Sequence, residues 1–320
     1  MPSLTSHSLT EYPNRPYDAV LFMPHFVLKK EAFSFLLRYG TVATIEGPPL
    51  SKNIAKTVKA FADLITLPLR PNRRKATKII AAEDLAEKVE IETRLGRLFF
   101  YCNTLRAFHY PWLFHGDEPD TLAWIESLPP DACFWDIGAN VGAFSLYAAL
   151  MPGVKILSFE PAASSYAALI KNIEINGMDD RIAAYCLAFC ESTQLNVLNM
   201  EQTEAGHSMH GFGTTVNAYD QSIEPQFRQA SIGYSLDDFV RIFNPPSPTH
   251  LKLDVDGIEA EILRGGIETF QSSSLVSAIV EIMGELGSER NREILRLMDA
   301  YGFKPQPRFS PDSRNVVFER

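Results

Sequence analysis

The stretch Phe134–Ser165, FWDIGANVGAFSLYAALMPGVKILSFEPAASS, decides the fold. An apolar run reaches Asp136, and glycines follow two and six residues later, at Gly138 and Gly142. An apolar segment of helical character comes next, then a second apolar run ending in Glu160. Short apolar runs bounded by turn signals suit strands buried on both faces, as in a parallel sheet. Ligands of such sheets sit beyond the carboxyl ends of the strands. Two acids and a glycine turn at two of those ends imply a small molecule that needs them there.

The same rhythm continues outward. Downstream, SSYAALIKNIEIN reads as a helix closed by Gly177, and RIAAYCLAFC as a third strand. THLKLDVDG is a fourth strand, followed by a helix IEAEILRG that stops at Gly265 and Gly266. LVSAIVEIM is a fifth strand and ERNREILRLMDAYG a helix, with GFKPQPRF and NVVFER as a closing hairpin. Upstream, TLAWIESL is a short helix capped by Asp120 or Thr121. Strands alternating with helices in this way predict an α/β fold with helices on both faces of a parallel sheet. A polar insertion from about Glu191 to Asp238, containing EAGHSMHGFGTTVN, reads as a mobile loop. Ser235 and Asp238 at its end have the spacing of a capping-box variant.

The first turn discriminates between ligands. A dinucleotide loop reads Gly-x-Gly-x-x-Gly and offers a helix N-terminus to a pyrophosphate. Here the spacing differs and an acid leads, which repels a pyrophosphate and suits a cation. Glu160, 24 residues after Asp136, stands where an acid commonly accepts the two hydroxyls of a ribose. A ribose, no phosphate and a positive charge together describe S-adenosylmethionine and exclude a nicotinamide dehydrogenase. Asp254 and Glu281 end the fourth and fifth strands, so four acids converge on one edge.

With these motifs in order, the sequence resembles the FkbM-type S-adenosylmethionine-dependent methyltransferases. FWDIGANVGAFSLYAA, SFEP, GHSMHGFG, SLDDF, LKLDVDGIEAEILRGG and VEIMGE follow one another as in that family, from about Asp117 to Met283. The resemblance implies a Rossmann-like class I methyltransferase sheet, mostly parallel with an antiparallel last strand. It also implies methyl transfer to an oxygen of a sugar, polyketide or other secondary metabolite, a small-molecule or glycan acceptor. By resemblance, Asp136, Gly138, Asn140 and Gly142 line the methionine end of the cofactor, and Glu160 holds the ribose diol. Leu187, Ala188 and Phe189 pass the adenine edge, Asp254 sits near the sulfonium, and GDEPDT closes over the cofactor carboxylate. A base that takes the acceptor's proton is sought among Asp254, Glu281 and His207. Lys252 is expected to pair with one of the acids, and Glu259 to sit in the first turn of a helix. His207 and His210 have metal-compatible spacing without a third ligand, so no metal is assigned; a magnesium site at Asp254 and Glu281 stays open as an alternative. So does a non-catalytic cofactor-binding or scaffolding protein.

Residues 116–320 thus form the expected methyltransferase domain, and residues 1–115 an N-terminal α/β extension with a capping or homodimerising role. Within the extension, NIAKTVKAFADLITL has helical apolar spacing with lysines opposite. RPNRRKATK reads as a basic loop, solvated or facing an anionic partner or membrane surface. KVEIETRLGRLFFYC reads as a hairpin. The net charge of -9 argues against duplex nucleic acid. The N-terminus lacks the pattern of a signal peptide, and no apolar run is long enough to span a bilayer. Cys102, Cys133, Cys186 and Cys190 stand in apolar contexts, so they are expected to be buried thiols of a cytoplasmic protein.

Overall fold

The computed structural model describes residues 49–216, 219, 221–282, 288–307 and 314–320. The N-terminal tail, the apolar run at 17–27 and the last residues of VEIMGE and GFKPQPRF lie outside them. The chain divides into two compact units, Met1–Lys78 and Ile79–Arg320. Among the described residues no helix is long and apolar enough to cross a membrane.

The larger unit is built on a seven-stranded sheet. Its strands are β3 (Cys133–Ile137), β4 (Lys155–Phe159), β5 (Ile182–Tyr185), β10 (His250–Leu253), β11 (Ser277–Glu281), β12 (Lys304–Pro305) and β13 (Asn315–Glu319). They run in the order β12-β13-β11-β10-β3-β4-β5. The five from β11 to β5 are parallel, whereas β13 is antiparallel to both β11 and β12. This is the mostly parallel sheet with an antiparallel last strand that the sequence motifs imply.

Pleating divides the core. Phe134 and Ile156 point to one face, against Leu146, Tyr147 and Leu169 from α5 (Ala143–Ala149) and α6 (Ala163–Asn176). Trp135 and Leu157 point to the other, against Phe239 of α7 (Leu236–Phe243) and Ile262 of α8 (Glu259–Arg264). Gly177 caps α6 in the left-handed region at φ 62°, as its sequence position predicts. Ser235 caps α7 by accepting from the Asp238 N–H at 3.2 Å. The short helix α4 (Pro119–Glu126) begins at a proline, with Glu118 at the N-cap, so Asp120 and Thr121 lie inside it rather than capping it.

Further expectations need correction. The third strand stops at Tyr185, and β6 (Ala188–Phe189) leaves the main sheet. The insertion that follows is largely a second sheet, not a loop. Its β7 (Gln194–Met200) and β9 (Phe227–Tyr234) pair antiparallel along their whole length, with β8 (Gly211–Phe212) and β6 at the edges. The partners are about 30 residues apart, so no local turn signal announces them. The hairpin β1 (Glu87–Glu92) and β2 (Arg97–Cys102) forms as expected, but its place in the chain's organisation differs from a boundary at 115. Leu98 and Phe100 are fully buried in the same cluster as Phe114 and Tyr147, so the hairpin belongs to the larger unit. Lastly, Cys186 is exposed, unlike Cys133 and Cys190.

In the smaller unit α1 (Pro49–Ile65) forms where the helical spacing predicts. The basic segment after it is α2 (Pro71–Asp84), not a loop, because its proline occupies the first helical position, where no N–H is required.

Candidate functional site at the strand carboxyl ends

The parallel registers carry the predicted acids to one edge. Leu253 pairs with Val280 on one side and Ile137 on the other, and Ile137 pairs with Phe159. One residue further along, Glu281, Asp254, Gly138 and Glu160 therefore form a single row across four strands. Two residues back, Lys252, Asp136 and Ser158 form the row beneath, their side chains on the same face.

The turn after β3 depends on its glycine. Gly138 has φ +84°, and a Cβ there would lie 1.7 Å from the Asp254 carbonyl oxygen. Only hydrogen lets β3 and β10 close on each other at this point. Asn140 also adopts a left-handed conformation at φ 49°. Its N–H donates to Glu160 Oε2 at 2.9 Å, while the Ala162 N–H donates to Oε1 at 2.8 Å. Each Glu160 oxygen keeps a lone pair for a further donor. Burial pushes the Glu160 carboxyl up to about 7 against those two hydrogen bonds.

Asp136 is fully buried. Ser145 Oγ donates to its Oδ2 at 2.5 Å, and Oδ1 has no hydrogen-bond partner. Burial raises its carboxyl, opposed by the Lys252 charge. Lys252, 2% exposed, places Nζ 2.5 Å from Asp254 Oδ2 and 5.1 Å from the Phe144 ring centroid. Burial works against its ammonium, but Asp254, Glu118 and Asp136 outweigh that and raise its pKa. For Asp254 burial pushes up, and the Lys252 charge and hydrogen bonds from Lys252 and Glu281 bring the net below the ordinary value. Glu281 goes the other way, raised well above its ordinary value by burial and by the Asp254 charge. Burial and the Lys252 charge thus split the pair, holding Asp254 below and Glu281 above its ordinary value. Glu259 is the first residue of α8, and its Oε1 accepts from the N–H groups of Val255 and Gly257.

Several residues that sequence reasoning missed complete this edge. Tyr110, from α3 (Leu105–Leu113), is half-buried, and desolvation with the charges of Asp256, Asp254, Glu160 and Glu118 holds its hydroxyl well above the ordinary value. Glu118 accepts from Thr121 Oγ at 2.8 Å and Asn315 Nδ2 at 2.7 Å. Burial raises its carboxyl, opposed by the Lys252 charge. Arg314 Nε lies 3.9 Å from Glu281 Oε1. Asp256, at φ 62°, accepts from the Met209 N–H at 2.6 Å; burial and Asp254 push its carboxyl up to about 7. Asp256 carried a local signal, an acid immediately before a glycine in a strand-end turn. Tyr110 and Arg314 carried none, because distant segments deliver them.

The segment around His207 is pinned, not loose. Asn140 Nδ2 donates to the His207 carbonyl at 3.1 Å, Thr104 Oγ to the Ala205 carbonyl at 2.8 Å, and the Gly206 N–H to Ser165 Oγ at 3.2 Å. The His207 ring stacks on His210 at 5.5 Å between centroids. Burial lowers both imidazoles, His210 to about 4, so both are neutral at pH 7. Among the described residues no three histidine, cysteine or acidic side chains cluster as a metal site. Leu187, Ala188 and Phe189 are buried in the apolar core. The Phe189 ring packs edge-on 4.8 Å from Phe159 and 5.4 Å from Phe239. A cleft of about 460 Å³ lined by Asp120, Trp124, Gln306 and Glu319 runs along α4, β12 and β13, apart from this row of acids.

Comparison with known proteins agrees with the acid-led turn. The chain is 25% identical over 202 residues to methyltransferase sdnD of Sordaria araneosa, covering 53% of this chain and 78% of that one. It is 26% identical over 151 residues to methyltransferase 1 of Beauveria bassiana, covering 44% and 61%. The crystal structure of methyltransferase FkbM from Methylobacillus flagellatus aligns with TM-score 0.40 and 14% identity, over 61% of this chain and 45% of that one. This chain thus spans under half the length of that bacterial protein. The methyltransferase FkbM domain matches residues 136–305, from the first acid of the site through β12, and the chain belongs to that family.

Proposed function

We propose that this chain is an S-adenosylmethionine-dependent methyltransferase acting on a hydroxyl oxygen of a small-molecule or glycan acceptor, such as a sugar or polyketide. The observation that supports this best is the row Glu281–Asp254–Gly138–Glu160, backed by the buried Asp136. It gathers carboxylates where a cation with a ribose would bind and offers no phosphate loop. The residues fit the cofactor on two further counts. Asp136 Oδ1 is buried without a donor, which an ammonium supplies. Glu160 has lone pairs left for two ribose hydroxyls. When bound, S-adenosylmethionine supplies a methyl group on a sulfonium, open to in-line displacement.

The chain's part is alignment, exclusion of water and management of one proton. Asp254 is held ionised by Lys252 and its side chain is 21% exposed, so it is the group at the strand ends able to take the acceptor proton. Glu281 ends the neighbouring strand beside Asp254, and burial and the Asp254 charge raise its carboxyl. His207 is neutral, and its Nδ1 contacts the Ser208 carbonyl, which leaves Nε2 as the competing base.

Transfer of label from S-adenosylmethionine to a panel of hydroxylated acceptors, with calorimetry on the same protein, tests the reading. Binding of S-adenosylhomocysteine but not NAD, with label reaching an acceptor oxygen, is the expected result. Asp254→Asn should then lower turnover at least ~100-fold with cofactor binding little changed. NAD binding without S-adenosylhomocysteine binding would overturn the assignment. Cofactor binding with no transfer to any acceptor would favour the scaffolding alternative.

A further inference from the structure

Residues 49–78 carry a charge unlike the rest of the chain. Lys52, Lys56 and Lys59 lie on α1, and Arg70, Arg73, Arg74, Lys75 and Lys78 lie in or just before α2. Asp63 is the only acid, so this segment is net +7 within a chain of net charge -9. At 100° per residue, Ile54, Val58, Phe61, Leu64 and Ile65 share one face of α1, with the three lysines and Asp63 opposite. Those five apolar side chains are 51–62% exposed. The two helices meet at Asp63. Asp63, on the polar side of α1, pairs with Lys78 and with Lys59, and the Arg74 guanidinium donates to its carbonyl at 3.3 Å. These bonds tether the second helix near the carboxyl end of the first, and from Lys52 to Phe61 the side chains of α1 are exposed, the apolar stripe among them.

We propose that α1 and α2 form a docking element for an anionic lipid surface, with the apolar stripe of α1 inserted among acyl chains and the basic residues facing headgroups. Charge complementarity selects this occupant. With Glu83 and Asp84 at its end the α1–α2 element is net +5, and a second copy would bring the same positive charge against the first, which like charge opposes. A bilayer bearing anionic lipid supplies an apolar medium for the stripe and a negative surface that matches the net positive charge of the segment. The combination of a strongly amphipathic helix with basic residues is the pattern of helices that lie in the membrane interface without crossing it.

The test uses the full chain and sedimentation with vesicles of phosphatidylcholine alone or with phosphatidylserine. Binding should favour the anionic vesicles by at least about tenfold and weaken as salt rises from ~0.1 M to ~0.5 M. Val58→Asp with Phe61→Asp should abolish it, and Arg73→Glu with Lys75→Glu should remove the lipid preference. Both pairs are on exposed helix surface, and circular dichroism checks that they fold. A Phe61→Trp variant, read as a difference from the native tryptophans, should emit as a solvent-exposed indole in buffer and shift blue on anionic vesicles. A buried-type emission in buffer would mean that protein, either another part of this chain or a second copy, already covers the stripe, and would overturn the proposal. So would equal binding to both vesicle types, or binding that survives the aspartates.

Discussion

Replacing Lys252 by methionine keeps the volume and removes the one ammonium buried beneath the strand ends. In the native site Lys252 and Asp254 are 2.5 Å apart, and Lys252 is 2% exposed. Breaking a buried pair by removing one partner costs about 3–5 kcal/mol, because the remaining charge is stranded. The stranded acid has another course, to take up a proton. From the ordinary aspartate value of 3.8, that costs about 4 kcal/mol at pH 7 and about 1.6 kcal/mol at pH 5, at 1.36 kcal/mol per unit. The cheaper course sets the loss, so Lys252→Met should lose about 3–4 kcal/mol at pH 7 and only about 1.5 at pH 5. The native pair contributes no slope between these limits. Asp254 has a depressed pKa, so its contribution is complete above 3.8 and fades only in stronger acid. Lys252 has a raised pKa, so its contribution persists to beyond 10.5. Glu118 and Asp136, raised by burial against the pull of the same ammonium, are raised further when it is removed, which widens the gap at higher pH. Urea denaturation of both proteins at several pH values, followed by tryptophan fluorescence, measures the gap. A gap that stays constant from pH 5 to 7, or a stabilised mutant, would refute the argument that Lys252 neutralises a buried acid.

Glu160→Gln should weaken S-adenosylhomocysteine binding by about 1.5–3 kcal/mol, seen by calorimetry, since hydrogen bonds to a charged acceptor are lost. The unliganded protein should lose stability as pH rises from 4.5 to about 7, because the raised Glu160 carboxyl is forced to ionise while buried; Glu160→Gln should flatten that slope in pH-dependent melts. Gly138→Ala should unfold or strongly destabilise the larger unit, by at least ~3 kcal/mol, because the new Cβ collides with the Asp254 carbonyl at a positive φ; an unchanged Tm would contradict this. The segment Ala205–His210 should be protected from hydrogen exchange like the sheet edges, given its bonds to Asn140, Thr104 and Ser165; rapid exchange of the Gly206 amide would restore the mobile-loop reading.

Much of this protein was legible in its sequence, because the deciding signals are local. The apolar runs around Phe134 and Ile156, the left-handed Gly138 and Gly177, and the cap at Ser235 each act within a few residues. A parallel strand order also sends every strand's carboxyl end to one edge, so Asp136, Glu160, Asp254 and Glu281 could be assigned there before any coordinates. What failed was non-local. The pairing of Gln194–Met200 with Phe227–Tyr234 turned a supposed loop into a sheet, and bonds from three separate elements held the His207 segment that composition marks as mobile.

By itself, then, the sequence determined the order of strands and helices and the acid-led turn, since these follow from backbone preference and apolar periodicity. Only the tertiary structure decided the charges in the site. It put Lys252 under Asp254, brought Tyr110 and Arg314 in from distant segments, and separated Asp254 from Glu281 in proton affinity. The physical reason is that protonation depends on burial and on the nearest opposite charge, and both are set by which distant residues the fold brings together.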